Sequence, residues 1–199
     1  MKIVKPSATI MSVSVYPLLL IEDAGRTCYK SEDKITPGSA PLFVAALLKR
    51  GHESVIEHAS ATVRFVCDRG VSHEIVRHRL ASYSQESTRY CDYGGEVTFV
   101  VPPWCIEGEQ YYKMWKEAME SAEQYYKYMR SFGWKPEQAR SVLPNSLKTE
   151  IVMTANFRQW RHFFKLRTSV AAHPQMRELV LPLLEEMRRV IPVIFDELG

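Results

Sequence analysis

At 199 residues the chain is long enough to bury one substantial core, and 46% hydrophobic against 25% charged residues is the balance of an ordered globular protein. A formal charge of +3 and a pI near 8.6 exclude the broad basic excess of a protein that lives on nucleic acid, so its basic residues have to be judged where they cluster. The longest apolar runs, Tyr16 to Ile21 and Ala40 to Leu48, fall short of the ~20 residues that cross a bilayer. Cys28, Cys67, Cys91 and Cys105 form no CxxC pair, which argues against a zinc knuckle or redox motif and fits free thiols in a reducing cytosol.

Met1 to Lys5 and Ala8 to Val15 carry the alternating and β-branched residues of strands, separated by Pro6. Pro17 opens a helix in which Leu18, Leu19, Ile21, Ala24 and Cys28 recur at helical spacing; Ser31 to Ser39 reads as a loop, and a second helix spans Pro41 to Arg50, stopped by Gly51. Ala59 to Asp68 alternates as a strand, Gly70 turns the chain, and Val71 to Leu80 is expected to form a short helix. On such a helix Glu74 and His78, and likewise His73 and Arg77, share a side.

Thr98 to Val101 is a strand stopped by Pro102 and Pro103, and Glu107 to Phe132 is the most strongly helical stretch, ended by Gly133. Its aromatic stripe suits core or subunit packing better than cofactor stacking. Pro136 starts a short helix carrying Arg140; Leu147 to Asn156 suits strand or helix; Phe157 to Leu166 is helical. Pro174 to Leu198 is helical with a break expected at Pro182, Pro192 or both. The fold class is therefore read as α+β: a single domain over 1–199, with a mixed or antiparallel sheet, flanking helices and a C-terminal helical segment.

The histidines do not make a metal site. His52 and His58 are six apart and His73 and His78 five apart, whereas two ligands on one helical face need a spacing of about four.

The chemistry concentrates in Arg77 to Arg89, RHRLASYSQESTR, which sets three arginines, a histidine and four serine or threonine hydroxyls in one stretch. Guanidinium forks and serine hydroxyls suit a phosphorylated or otherwise anionic ligand. Downstream, Arg140, Arg158 and Arg167 stand with Asn156 and His162. Six guanidiniums near few acids would repel unless an anion lies among them, so one or more phosphorylated ligands are expected. No Walker loop or GxGxxG is present, so side chains would hold the phosphate.

The order Arg77-His78-Arg79, Ser82, Ser87, Arg89 matches the RHRxxSxxxxSxR signature of the flavin-dependent thymidylate synthases. Gly51-His52-Glu53, Glu57-His58, Ala139 to Pro144, Asn156-Phe157-Arg158 and Leu166-Arg167 also resemble family segments in the family's order, over most of the chain. The resemblance implies formation of dTMP from dUMP, with 5,10-methylenetetrahydrofolate as carbon donor, FADH2 as hydride donor and NADPH as reductant of the flavin. It implies FAD binding by Ser54, Arg77, His78, Arg79, Gln85, Asn156, Phe157, Arg158 and His162. For dUMP it implies Glu74, Ile75, Val76, Arg77, Gln85, Glu86, Ser87, Thr88, Arg89, Arg140 and Arg167. Arg167 is the catalytic candidate, no metal is implied, and a homotetramer with sites shared between subunits is expected. Gln85 stands where a glutamate is frequent in the family.

Ser87 lacks an adjacent base and reads as a hydrogen-bond donor rather than a nucleophile; Cys91 reads as structural. Two other classes remain open on sequence grounds. One is a nucleic-acid binder that uses the arginines on phosphate and Tyr83, Tyr90 and Tyr93 for stacking. The other is a flavin-dependent nucleotide oxidase or reductase that transfers no carbon.

Overall fold

The computed structural model describes residues 1–198. The strands are β1 (Lys2–Val4), β2 (Ser7–Val13), β3 (Ser60–Asp68), β4 (Ser82–Gln85), β5 (Thr98–Val100) and β6 (Lys148–Asn156). The helices are α1 (Pro17–Tyr29), α2 (Ser39–Lys49), α3 (Arg69–Ile75), α4 (Gln110–Ser131), α5 (Pro136–Ala139), α6 (Phe157–Arg167) and α7 (Pro174–Val190), with 3-10 turns at Glu32–Lys34, Glu53–His58 and Arg140–Val142. β1 pairs parallel with β5, and a four-stranded sheet has the order β2-β3-β6-β4. This is an α+β fold. The chain forms two compact units, one of Met1–Ser7, Phe65–Arg77 and Ser84–Ile151, the other of Ala8–Arg64, His78–Tyr83 and Val152–Gly199. β3 and β6 each run from one unit into the other.

In the first unit Val97, Phe99, Met119, Tyr126, Ala139 and Leu147 form the buried core, and Trp115, Ala122 and Met129 of α4 close over it. In the second, α6 is nearly all buried on one side. Trp160 stacks with Phe164 and meets Phe163 edge-on, Phe164 and Phe157 both meet Phe195, and the Trp160 indole donates to the Ala61 carbonyl at 3.1 Å. The buried ring area is the main stabilisation here, and the indole N–H is satisfied rather than stranded. Thr62 of β3 and Thr154 of β6 share a hydroxyl hydrogen bond of 2.9 Å. α1 and α2 approach closely at Gly25, where an added Cβ would lie 2.7 Å from the Phe43 ring.

Several boundaries differ from the sequence reading. Gly70 is not a turn. Asp68 caps α3 by accepting the Val71 N–H at 2.7 Å, so the helix begins at Arg69. It ends at Ile75, so His73/Arg77 and Glu74/His78 are not helical i,i+4 pairs. β4 lies inside the arginine-rich stretch, and Leu147 to Asn156 resolves as the strand β6.

α7 runs through Pro182 without a break and stops before Pro192. One lost helical bond is outweighed by burial of Met176, Leu179, Val180, Leu183, Leu184 and Met187 along that helix. Beyond it Val193 is held at φ 77, a conformation that a β-branched residue adopts only when its neighbours impose it. There the Val193 N–H donates to the Asp196 carboxylate at 2.9 Å, and Arg161, buried to 2% exposure, donates to the Ile194 carbonyl and the Glu197 carboxylate just beyond.

Candidate active site

α6 starts with Asn156 as its cap, accepting the Gln159 N–H at 2.9 Å. The first turns after that cap present Arg158, Gln159, His162 and Lys165 at spacings of three and four, on one helical face. Opposite them stands the 3-10 turn that supplies Glu53 and Glu57. With Leu80 and Asn156 these residues line a cavity of about 710 Å³ in the second unit.

Its charges are partly paired. Arg158 donates to Glu57 at 2.6 Å and approaches Glu53 at 3.9 Å, Lys165 lies 3.8 Å from Glu53, and Arg161 donates to Glu53 at 3.0 Å. The expectation of arginines short of acids is therefore wrong for Arg158. Glu53 and Glu57 are brought to it by the fold from about a hundred residues away. By contrast Arg77 and Arg79 are exposed and make no ion pair among the described residues.

His78 is 5% exposed. Its Nε2 accepts a hydrogen bond from Arg167 Nε at 3.0 Å, its Nδ1 lies 3.4 Å from the Gln159 amide, and its carbonyl accepts the Tyr83 hydroxyl at 2.7 Å. The ring stands edge-on to Phe163 at 4.8 Å and to His162 at 5.9 Å. A nitrogen that accepts from a guanidinium carries no proton, so Nε2 is bare and the ring is neutral. Burial, then the Arg167 charge and His162, pull the His78 pKa down to about 4.

The first unit holds a smaller cavity of about 250 Å³, lined by Arg69, His73, Thr88, Arg140 and Ser141 with the 143–145 turn and Leu147. Arg140 donates to the Thr88 hydroxyl at 2.8 Å, and the Arg89 guanidinium lies 3.6 Å from Glu137 at the surface. Ser87 Oγ accepts the Arg89 N–H at 3.3 Å. Gln85 donates to Ser72 Oγ at 2.9 Å and Thr149 Oγ1 at 3.2 Å. Both contacts are hydroxyls that a carboxylate could also engage, so the amide is seated without a charge.

Glu86 is tied up in the fold. One carboxylate oxygen accepts the Tyr93 hydroxyl at 2.8 Å; the other accepts Lys148 Nζ at 3.0 Å and the Glu150 N–H at 3.2 Å. Burial and then the Glu86 carboxylate push the Tyr93 hydroxyl well above its ordinary pKa.

The two arginine clusters read from the sequence are regrouped. Arg167 and His162 stand with His78, whereas Arg140 stands with Thr88. Ile75 and Phe157 have fully buried side chains, so only their backbones can meet a ligand. Ser54 and Val76 are exposed and Glu74 is half-buried. Gln159 was not singled out in the sequence, although its place three residues after a capping Asn and three before His162 puts it on the cavity face.

The family described as thymidylate synthase complementing protein matches residues 10–193. A flavin-dependent thymidylate synthase of Pyrococcus furiosus is 36% identical over 174 residues, 85% of this chain and 71% of that one. One from Geobacter sulfurreducens is 36% identical over 184 residues, 88% of this chain and 79% of that one. The crystal structure of the UMP/dUMP methylase PolB from Streptomyces cacaoi, bound with 5-Br dUMP, superposes with a TM-score of 0.84 at 25% identity, covering 98% of this chain and 96% of the other. With a signature stretch, a family match over nearly its whole length and relatives of this similarity, the chain belongs to the flavin-dependent thymidylate synthase family.

Proposed function

We propose that this protein converts dUMP to dTMP by reductive methylation, taking the carbon from 5,10-methylenetetrahydrofolate and the hydride from FADH2, with NADPH as the flavin's reductant. The observation that carries this reading is the pairing of Arg167 with a neutral His78, whose ring touches two residues lining a dinucleotide-sized cavity. A volume of about 710 Å³ lies within the ~300–1,000 Å³ of small-molecule sites. Its donors suit a pyrophosphate-bearing ligand: Asn156, Arg158, His162 and Lys165 at the wall. Glu57 is exchanged for phosphate on Arg158, a substitution of one anion by another. Bound there, FAD supplies two-electron hydride chemistry.

The residues of the chain do the rest. We assign the phosphate of dUMP to Arg140 and Thr88 with Ser87 and Arg89 and its uracil to Gln85, and we give Arg167 the catalytic role. Activating the uracil ring places negative charge on N3 and the carbonyl oxygens, and a fixed guanidinium stabilises that charge more in the transition state than in the ground state. His78 holds the Arg167 side chain by accepting from Nε, so the guanidinium does not reorganise during the reaction. Glu86 acts as a brace for β6 rather than as a ligand, because both its oxygens are engaged. The whole chain serves as one functional domain, in a cytosolic homotetramer whose sites draw on more than one subunit.

The test is the visible spectrum of the purified protein. A yellow preparation that bleaches with NADPH, and forms dTMP from dUMP only when the folate is added, is expected. A colourless protein that takes up neither FAD nor dUMP overturns the proposal, and turnover of the flavin without carbon transfer reduces it to an oxidase.

A further inference from the structure

α4 buries Trp115, Met119, Ala122, Tyr126 and Met129 against the core of its own unit. An ordinary surface helix would be polar on the other side. This one is not. Tyr111, Met114, Ala118, Ser121, Tyr125, Tyr128 and Phe132 follow one another in alternating steps of three and four, and all are exposed. Tyr111 is 72% exposed and Phe132 68%. Apolar side chains scattered singly over a surface need no explanation, but a continuous line of them does. Steps of three and four sustained over three heptads are the pattern by which one helix seats against another, and this seam is about 32 Å long at ~1.5 Å per residue.

We propose that the outer seam of α4 is an interface with a second copy of this chain, the two helices running antiparallel about a two-fold axis at Ser121. The seam is complementary to its own reversal. Turning it about Ser121 sets Ala118 against Tyr125, Met114 against Tyr128 and Tyr111 against Phe132, so small or flexible side chains meet rings at the inner levels, two rings pair at each end, and the smallest residues sit at the crossing. A parallel pair would oppose Tyr125 with Tyr125 and Ala118 with Ala118, crowding one level and leaving a void at another. The reversal also opposes the helix dipoles, which a parallel pair would align. Such an interface is isologous and closes on itself. It deepens the assembly part of the function proposed above, giving that assembly one of its surfaces, and does not depend on the flavin chemistry.

Ser121→Cys in the full-length chain tests the axis, read as cross-linked dimer on a denaturing gel after a short bismaleimide. A dimer band well above that of the unsubstituted protein, and above that of Lys113→Cys placed off the axis, is expected. The companion variant Ala118→Arg/Tyr125→Arg, which sets like charges against each other at both levels and is checked for folding by circular dichroism, is expected to halve the mass measured by light scattering. An assembled protein whose Ser121→Cys variant gives no such band, or whose double variant keeps the full mass, overturns the seam and leaves the assembly standing. A monomeric unsubstituted protein overturns both. A purified chain that stays monomeric while Ser121→Cys cross-links to a different polypeptide in lysate overturns it in favour of a foreign partner.

Discussion

Arg167 can donate to His78 only while that ring is neutral, so the pair carries its own pH dependence. The unfolded chain has a histidine of ordinary pKa near 6.5, and the folded one holds it at about 4. Between those values the unfolded state binds the extra proton, so stability rises with pH across the window and is lost as pH falls from about 6.5 toward 4. The urea midpoint is expected to drop from pH 7 to pH 5 and to level off above pH 7. His78→Gln should flatten that slope, and an unchanged slope would show that other groups set it. For Arg167→Ala, loss of about a hundredfold in dTMP formation is expected, on the scale of one oxyanion donor, while flavin absorbance persists. Near-normal turnover would remove Arg167 from the chemistry.

At the scale of elements, caps decide where the functional residues fall. Asp68 is 4% exposed and satisfies the first turn of α3, so Asp68→Ala is expected to cost about 1 kcal/mol and lower the melting temperature by about 3 °C. A scanning calorimetry trace superposable on the parent would refute the cap. Much of this was legible in the chain. Heptad-like spacing gave α4 within a few residues, and alternation gave β3. What misled was local: Gly70 looked like a turn because its neighbour's capping role was not weighed, and β4 has no β-branched residue to announce it. Ser82 to Gln85 is a strand because it pairs with β6, more than sixty residues further on, and no local pattern encodes that partner. The site was legible in the same measure. The signature picked out His78 and the family-like segment Leu166-Arg167 picked out Arg167, but their separation of 89 residues hid that they bond to each other, and a separation of 101 hid Glu57 from Arg158.

At the scale of the whole molecule, each compact unit carries one of the cavities assigned to a ligand, that of about 710 Å³ lined by α6 and that of about 250 Å³ by the 140–145 turn. Ligands of two sizes should therefore register separately in stability. FAD and dUMP are each expected to raise the melting temperature when added alone, as any ligand that binds only the folded state does. A protein stabilised by neither would carry neither site.

Glu53 links the cavity lined by α6 to a distant part of the chain. Its carboxylate is shared among Arg158, Lys165 and Arg161, and Arg161 also clasps Ile194 and Glu197. A phosphate that draws Arg158 and Lys165 away leaves Glu53 to Arg161 alone, so filling the pocket tightens the buckle on the C-terminal tail. Digestion by carboxypeptidase is expected to slow severalfold when FAD is present and to be indifferent to FAD in Glu53→Gln. If the tail is trimmed at one rate with and without the dinucleotide, the two ends of that strap are not connected.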